Sequence, residues 1–440
     1  MTLLVNARLL TMDAGRREIE RGWLAIEGDR IAALGAGDPP GGSPDDVVED
    51  MDGDLIMPGM VNPHTHLAMT LFRGLGEDVD DRLFRYILPL ERALVTADVV
   101  ETGARLAALE CIQGGVTTVA DMYYFEDRIG RVLDEAGLRG LIGQTIANFA
   151  APDHAGTDEA FALLDALDDS YRDHPLISAT PAPHAPYSTG PAVMERAAAW
   201  AENRDAMVQM HLAETHDEMA WAEREHGCST VELTRRSGLL TPRLIAAHAM
   251  YPSEADMDLI AEGGTGVAHN ARANGKGGRG IAPIAALRAR GVRVGLGTDG
   301  PMSSNTLDLF SQFAPASMFQ KIAGGSRKPL PATDVIHMAT QGGADILGLG
   351  AKIGSLEPGK QADLVRMSLD APRLQPVYDI YATLVFAALP SDVRATMVAG
   401  RWLMRDRVVE TVEAKRAVAD ALQVADRFKD RIREIDGASA

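Results

Sequence analysis

Cysteine is nearly missing from this chain: of 440 residues, only Cys111 and Cys228 carry a thiol. Two cysteines cannot build a disulfide framework, and both are expected as small buried hydrophobes. Positive charge is scarce as well. Lys and Arg number 43 against 62 Asp and Glu, a formal net charge of −19. That balance argues against nucleic-acid or anionic-membrane binding through a basic face. There is no N-terminal basic-plus-apolar signal and no apolar run long enough to cross a bilayer, so the cytoplasm is the expected location. Internal repeats and low-complexity tracts are missing too. No lysine precedes Lys276.

What is present is histidine at chosen places. The segment Pro58-Gly59-Met60-Val61-Asn62-Pro63-His64-Thr65-His66 follows the apolar run Leu55-Ile56-Met57. Alternate residues of a strand share a face, so His64 and His66 present two imidazoles side by side at the end of a buried strand. Such a pair suits a divalent metal. Further polar groups end later strand-like runs: His211 and Glu214 after Ala206 to Met210, His248 after Leu244 to Ala247, and Asp299 after Val292 to Leu296. His64, His66 and His211 offer nitrogen and Asp299 offers carboxylate oxygen. This mixed set suits one Zn2+, and Fe2+ or Mn2+ fit the same donors.

Strand-like runs near 55–66, 117–123, 138–147, 176–183, 206–212, 243–249, 264–270 and 293–299 alternate with helix-like stretches such as Pro191 to Asn203 and Glu254 to Glu262. Strands alternating with helices imply a parallel sheet. When many strand C-termini each deliver one polar group, an α/β fold of the (β/α)8 TIM-type barrel, with its site at the C-terminal mouth, is the simplest architecture. The chain is long for one compact core, so a smaller second domain is expected. Both chain ends supply it: Leu3 to Leu10, Trp23 to Leu34, Ala362 to Met367 and Arg394 to Leu403 read as strands, with turns at Gly28-Asp29 and Ala399-Gly400. The expected division is 1–57 and 353–440 as a composite β-sandwich around a barrel at 58–352. Val412 to Ile435 reads as a surface helix, and Gly35 to Gly42 as an exposed loop.

The residues resemble the amidohydrolase superfamily, and within it the methylthioadenosine/S-adenosylhomocysteine deaminases and s-triazine hydrolases. The resemblance runs over nearly the whole chain. It rests on Pro58-Gly59 to His66, Met69-Thr70-Leu71-Phe72-Arg73-Gly74, Leu88-Pro89-Leu90-Glu91, His184-Ala185-Pro186-Tyr187 and His211-Leu212-Ala213-Glu214-Thr215. It continues through Val267-Ala268-His269-Asn270, Gly280-Ile281-Ala282-Pro283, Gly297-Thr298-Asp299-Gly300 and Gly354 to Leu364. Binuclear relatives bridge their metals with a carboxylated lysine from an early or central strand. With none before Lys276, the resemblance implies one metal per chain.

The same resemblance implies roles. Glu214 carries protons to the ring nitrogen and the departing ammonia, His248 orients the attacking water, and Asp299 both touches the metal and accepts the water's proton. His184 contacts the heteroaromatic ring and Glu91 binds ribose hydroxyls. Two departures from the pattern concern the substrate. Gln144 stands where those deaminases carry an arginine, and the run Asn270-Ala271-Arg272-Ala273-Asn274-Gly275-Lys276-Gly277 replaces an apolar wall, so Arg272 is expected to face an anionic substituent or solvent. His154, His174, His216, His226 and His337 are expected to be structural or solvated, and His269 to be a hydrogen-bonded mouth residue, near ligand or apart from it. The implied activity is metal-dependent hydrolytic deamination of an N-heteroaromatic ring, by water acting on a small substrate. Adenosine-derived nucleosides come first and pterins or other fused aminopyrimidines second, in a homo-oligomer. Hydrolytic dechlorination of an s-triazine is the alternative within the class, and a catalytically silent scaffold the alternative outside it. Retention of Glu214 favours ammonia as leaving group, because chloride needs no proton.

Overall fold

The structure, a computed structural model, describes residues 1–41 and 43–438; Gly42, at the end of the expected exposed loop, lies outside the described residues. The chain opens with β1 (Thr2–Leu10), β2 (Glu18–Glu27), β3 (Arg30–Ala36), β4 (Val47–Asp50) and β5 (Leu55–Pro58). Eight strands follow, each followed by helical segments: β6 (Met60–Thr65), β7 (Val116–Tyr123), β8 (Arg139–Ile146), β9 (Ile177–Pro183), β10 (Val208–Leu212), β11 (Leu244–His248), β12 (Gly266–His269) and β13 (Val294–Leu296). The chain then adds β14 (Leu364–Met367), β15 (Val393–Val398), β16 (Arg401–Arg405) and β17 (Val408–Val409), and ends in the helix Ala414–Ala438.

Strands β6 to β9 and β10 to β13 form two parallel four-stranded halves. The halves meet at both seams through the site itself. The His211 amide donates to His184 O (3.1 Å) and the Asp299 amide donates to His64 O (3.0 Å), closing an eight-stranded barrel. Its interior is filled by side chains, as a closed barrel of this size requires. Val61, Ala120, Leu141, Ile245 and Ala268 pack with Ile346 and Leu347. Nearer the mouth, Gln209 Nε2 donates to Asp121 O (2.9 Å) and Thr180 Oγ1 (3.0 Å), and Asn62 Nδ2 donates to Thr298 Oγ1 (2.8 Å). These bonds satisfy polar groups that the barrel wall has removed from water.

The two chain ends share one nine-stranded sheet, ordered β17-β16-β15-β14-β5-β1-β2-β3, with β4 paired to β1. Leu24, Ile31, Met397 and Trp402 belong to one buried cluster although their strands lie far apart in that order, so the sheet folds back on itself around a core. The stretch 55–66, expected as one strand, is two. Pro58 ends β5 in the folded sheet, and Met60 starts β6 in the barrel. The switch occurs at Gly59, whose amide donates to Asp363 O (2.9 Å) and where a Cβ would lie 2.3 Å from Thr117 side-chain atoms. Only glycine allows that approach.

The helix over Glu254–Glu262 begins in a capping box between Ser253 and Asp256. The helix read from Pro191 starts earlier, at Pro186, and kinks at Gly190 (φ 71°). The C-terminal helix is not merely a surface element. Phe428 is buried edge-on against Phe72, with ring centroids 4.9 Å apart, so this helix braces the segment that follows His66.

Candidate metal centre and active site

The strand ends deliver their polar groups to one place. His64 is the penultimate residue of β6 and His66 follows the strand, with ring centroids 5.0 Å apart; His211 lies 5.0 Å from His64, and His248 lies 5.5 Å from both His64 and His211. Asp299 Oδ1 is 3.3 Å from His66 Nε2 and 3.8 Å from His64 Nε2. Ligand atoms of His64, His211 and His248 all lie within 4.8 Å of one another, as do those of His64, His66 and Asp299.

Three of the four rings are turned by a second bond. His66 Nδ1 donates to Met122 O (2.6 Å), His211 Nδ1 to His184 O (2.8 Å) and His248 Nδ1 to Asn274 Oδ1 (2.8 Å). Such bonds fix the tautomer and aim Nε2 inward. Nε2 of His64 and of His248 are buried without a hydrogen-bond partner among the described residues. Buried polar atoms are rarely left unpaired, so two convergent orphans beside a carboxylate fit a cation. Electrostatics agree. Burial drives His64 well below the usual histidine range and His211 down to about 3, so both are neutral donors. Burial opposes the charge on His66 too, but the bond to Asp299 outweighs it and lifts its pKa to about 9. Asp299 stays ionised despite its burial because His66 and His248 face it. The centre sets the neutral His64 and His211 and a protonated His66 around one anion, and it can hold a divalent metal that takes the place of the His66 proton.

Backbone strain concentrates here. His248 (φ 76°), Ala249 (φ 47°), Asp299 (φ 62°) and Ala213 (φ 52°) all occupy the left-handed region without being glycine. Non-glycine residues persist there only when the surroundings over-determine them, typically at functional sites.

Glu214 follows β10. Its amide and that of Ala213 both donate to the buried Glu218 carboxylate (2.9 Å each). Glu214 Oε1 lies 3.6 Å from His248 Nε2. Burial would raise its pKa, but His248 and Arg279 overcome that and bring it down to about 2. His184 follows β9; its Nδ1 donates to Ser188 Oγ (2.8 Å), and its ring lies 5.0 Å from that of His211. Burial lowers its pKa to about 4, which leaves Nε2 an acceptor. Glu91, on the helix Leu88–Leu94, is buried and accepts from Tyr123 Oη (2.8 Å); Tyr123 lies 6.4 Å from His66, ring to ring. Burial lifts the Glu91 pKa to about 7.

Two sequence-marked residues engage elsewhere. Gln144 is buried, and its Nε2 donates to Asp153 Oδ2 (3.1 Å), which ties it to the loop after β8. Arg272 lies in the first turn of the helix Ala271–Lys276, its amide donating to Gln312 Oε1 (2.9 Å) and its charge acting on Asp308. The cation that reaches Glu214 is Arg279, from the Gly277-Gly278-Arg279-Gly280 loop. A lone arginine among glycines in a mouth loop was the available sequence signal. His154, expected to be structural or solvated, is buried with Nδ1 bonded to Asp153 Oδ1 (2.6 Å), so the structural role is the one it has. His269, expected to be hydrogen-bonded, is instead buried beside His248 with both ring nitrogens unpartnered among the described residues. A cleft of about 960 Å³ opens at the opposite end of the barrel, among Asp168, Arg172, Arg204 and Arg243, and none of His64, His66, His211 and His248 lines it.

The profile of the amidohydrolase family matches residues 55–403. The chain belongs to the amidohydrolase family. A 5-methylthioadenosine/S-adenosylhomocysteine deaminase of Nitratidesulfovibrio vulgaris is 41% identical over 408 residues, 92% of each chain. A 5'-deoxyadenosine deaminase of Methanothermobacter thermautotrophicus is 37% identical, covering 92% of this chain and 93% of its own. Among solved structures, an adenosine deaminase from Xanthomonas campestris with bound zinc superposes with a TM-score of 0.93 at 34% identity, over 98% of both chains. The zinc-complexed atrazine chlorohydrolase of Arthrobacter aurescens reaches a TM-score of 0.91 at 24% identity and shares the fold. This family member is a hydrolase acting on C–N bonds, of the deaminase type, built on the TIM-type amidohydrolase fold.

Proposed function

We propose that the chain is a mononuclear, zinc-dependent deaminase that hydrolyses the exocyclic amine from an N-heteroaromatic ring. Adenosine-derived nucleosides are the first substrates to consider and pterins the second. The observation that carries the reading is the convergence of two orphaned histidine nitrogens and an ionised Asp299 beside a second carboxylate, Glu214. When bound, a divalent ion there supplies Lewis acidity and brings the pKa of a water near neutrality, about 7 in favourable sites.

The chain's own groups do the rest. Asp299 and Glu214 are the carboxylates placed to take protons, and Glu214 passes one to the ring nitrogen next to the carbon that loses its amine. His248, held through Nδ1 by Asn274, directs Nε2 at the same space and orients the water. His184 presents an unprotonated Nε2 to the ring's N–H groups. Glu91, set by Tyr123, receives ribose hydroxyls. The relatives named for adenosine derivatives support a nucleoside over a bare ring.

The test is ammonia release from zinc-loaded protein over adenosine, 5'-deoxyadenosine, 5-methylthioadenosine, S-adenosylhomocysteine and pterins. Glu214→Gln should keep the metal and lose roughly a hundredfold or more in rate, the scale of general acid–base catalysis. Near-normal turnover in that variant, with metal content confirmed, would remove Glu214 from the reaction. No ammonia from any ring would remove the deaminase reading.

A further inference from the structure

A proton carrier needs its carboxylate free, yet Glu214 is occupied. Arg279 Nη1 forms an ion pair with Glu214 Oε1, the same oxygen that faces His248. The arginine is built to reach there. Its amide donates to Asn274 O (3.1 Å), and its carbonyl accepts from Tyr251 Oη. Asn274 is also the residue that holds His248. The backbone of Arg279 is therefore pinned to the site, while its side chain crosses from the rim inward: the Arg279 side chain is 32% exposed and that of Glu214 18%. Gly278 (φ +65°) and Gly280 (φ +90°) flank it with open space where a Cβ would stand, so only the arginine side chain projects from this turn.

We propose that Arg279 is a receptor for an anionic group on the substrate, and that in the free enzyme Glu214 holds its place. The ligand class is an aminated heteroaromatic compound carrying a carboxylate or phosphate on the part that projects toward the mouth. Binding exchanges one anion for another on the guanidinium, which releases Glu214 toward the ring. An anionic substrate keeps the guanidinium paired after the exchange and leaves Glu214 free to take up a proton beside the ring. A neutral one strands a partly buried guanidinium or meets a masked Glu214, which is selection by an unpaired charge. Arginine suits the task because its planar fork serves carboxylate and phosphate alike. The inference rests on the deaminase reading for the role of Glu214, and the experiment separates the two.

Zinc-loaded wild type, Arg279→Gln and Arg279→Lys are compared on adenosine, adenosine 5'-carboxylate and adenosine 5'-monophosphate by ammonia release. The matching inosine compounds, which cannot lose an amine, are titrated by calorimetry. Wild type should favour an anionic member over the neutral one by about tenfold or more, the scale of a hydrogen bond to a charged group. Arg279→Gln should erase that preference in both readouts while gaining on the neutral compound, and Arg279→Lys should keep part of it. Which anion wins tells carboxylate from phosphate. The same anion preference in wild type and Arg279→Gln, a wild-type preference for the neutral member, or no binding at all would overturn the proposal. Arg279-dependent binding without ammonia release would keep the receptor and sink the deaminase reading.

Discussion

Glu91 shows how much one buried side chain can be made to say. Among the described residues its carboxyl has one hydrogen-bond donor, Tyr123 Oη, and burial lifts its pKa from the ordinary 4.5 to about 7. The folded chain therefore holds that proton over a range where the unfolded chain has released it. Between about pH 4.5 and 7 the native state binds more protons than the unfolded one, so stability falls as pH rises through that window. Each unit of such a shift is worth about 1.4 kcal/mol. Glu91→Gln keeps the shape and removes the titration. Denaturant unfolding at a series of pH values should show a flatter profile in the variant over that window, and an unchanged slope would place the titration elsewhere. The same variant tests the binding role: if Glu91 receives ribose hydroxyls, turnover of nucleosides should fall far more than turnover of bare bases, because a charge-assisted bond is lost.

Between elements, the barrel and the folded sheet are joined by a buried ion pair that no sequence motif announced. Arg139, the first residue of β8, meets Asp363 before β14 with Nη2–Oδ1 and Nη2–Oδ2 distances of 3.1 Å each, and Asp363 Oδ1 also accepts from the Ala399 amide (2.7 Å). Removing one partner leaves a charge buried alone. Arg139→Leu should destabilise by about 3–5 kcal/mol in urea titration, and Arg139→Leu with Asp363→Asn by clearly less than the sum of the single changes. Strict additivity would mean the two residues do not interact. This pair marks the limit of reading the chain alone. The barrel strands were legible as short apolar runs, most of them ending at or just before a His or Asp, as at His64, His184, His211, His248, His269 and Asp299. The break at Gly59 was not, since Leu55 to Thr65 is one apolar run and the switch depends on Thr117, which packs there only after folding. Arg279 was passed over for Arg272 for a similar reason. Both are cations near the glycine-rich mouth, and only the helix at Ala271–Lys276 decides that one turns toward Asp308 and the other inward.

At the scale of the whole molecule, the candidate metal centre and barrel closure are one feature. His64 comes from β6, His66 from its end, His211 from β10 and Asp299 from beyond β13, and the amides of His211 and Asp299 make the seam bonds at the two places where the barrel halves meet. A cation held by these four groups ties both seams at once, so its binding free energy adds to the stability of the closed barrel. An ion at a hundred times its dissociation constant should stabilise the chain by about 2.7 kcal/mol, if the unfolded chain does not bind it. Chelation should therefore lower the melting temperature as well as abolish turnover, and zinc should restore both. Elemental analysis of purified protein should find about one tightly held metal per chain, as a centre with these donors requires. In Asp299→Ala or His64→Ala, zinc should no longer raise the melting temperature. Two tightly bound metals per chain, both needed for activity, would refute the mononuclear centre; a melting temperature indifferent to zinc in the unaltered chain would show that the seams close without it.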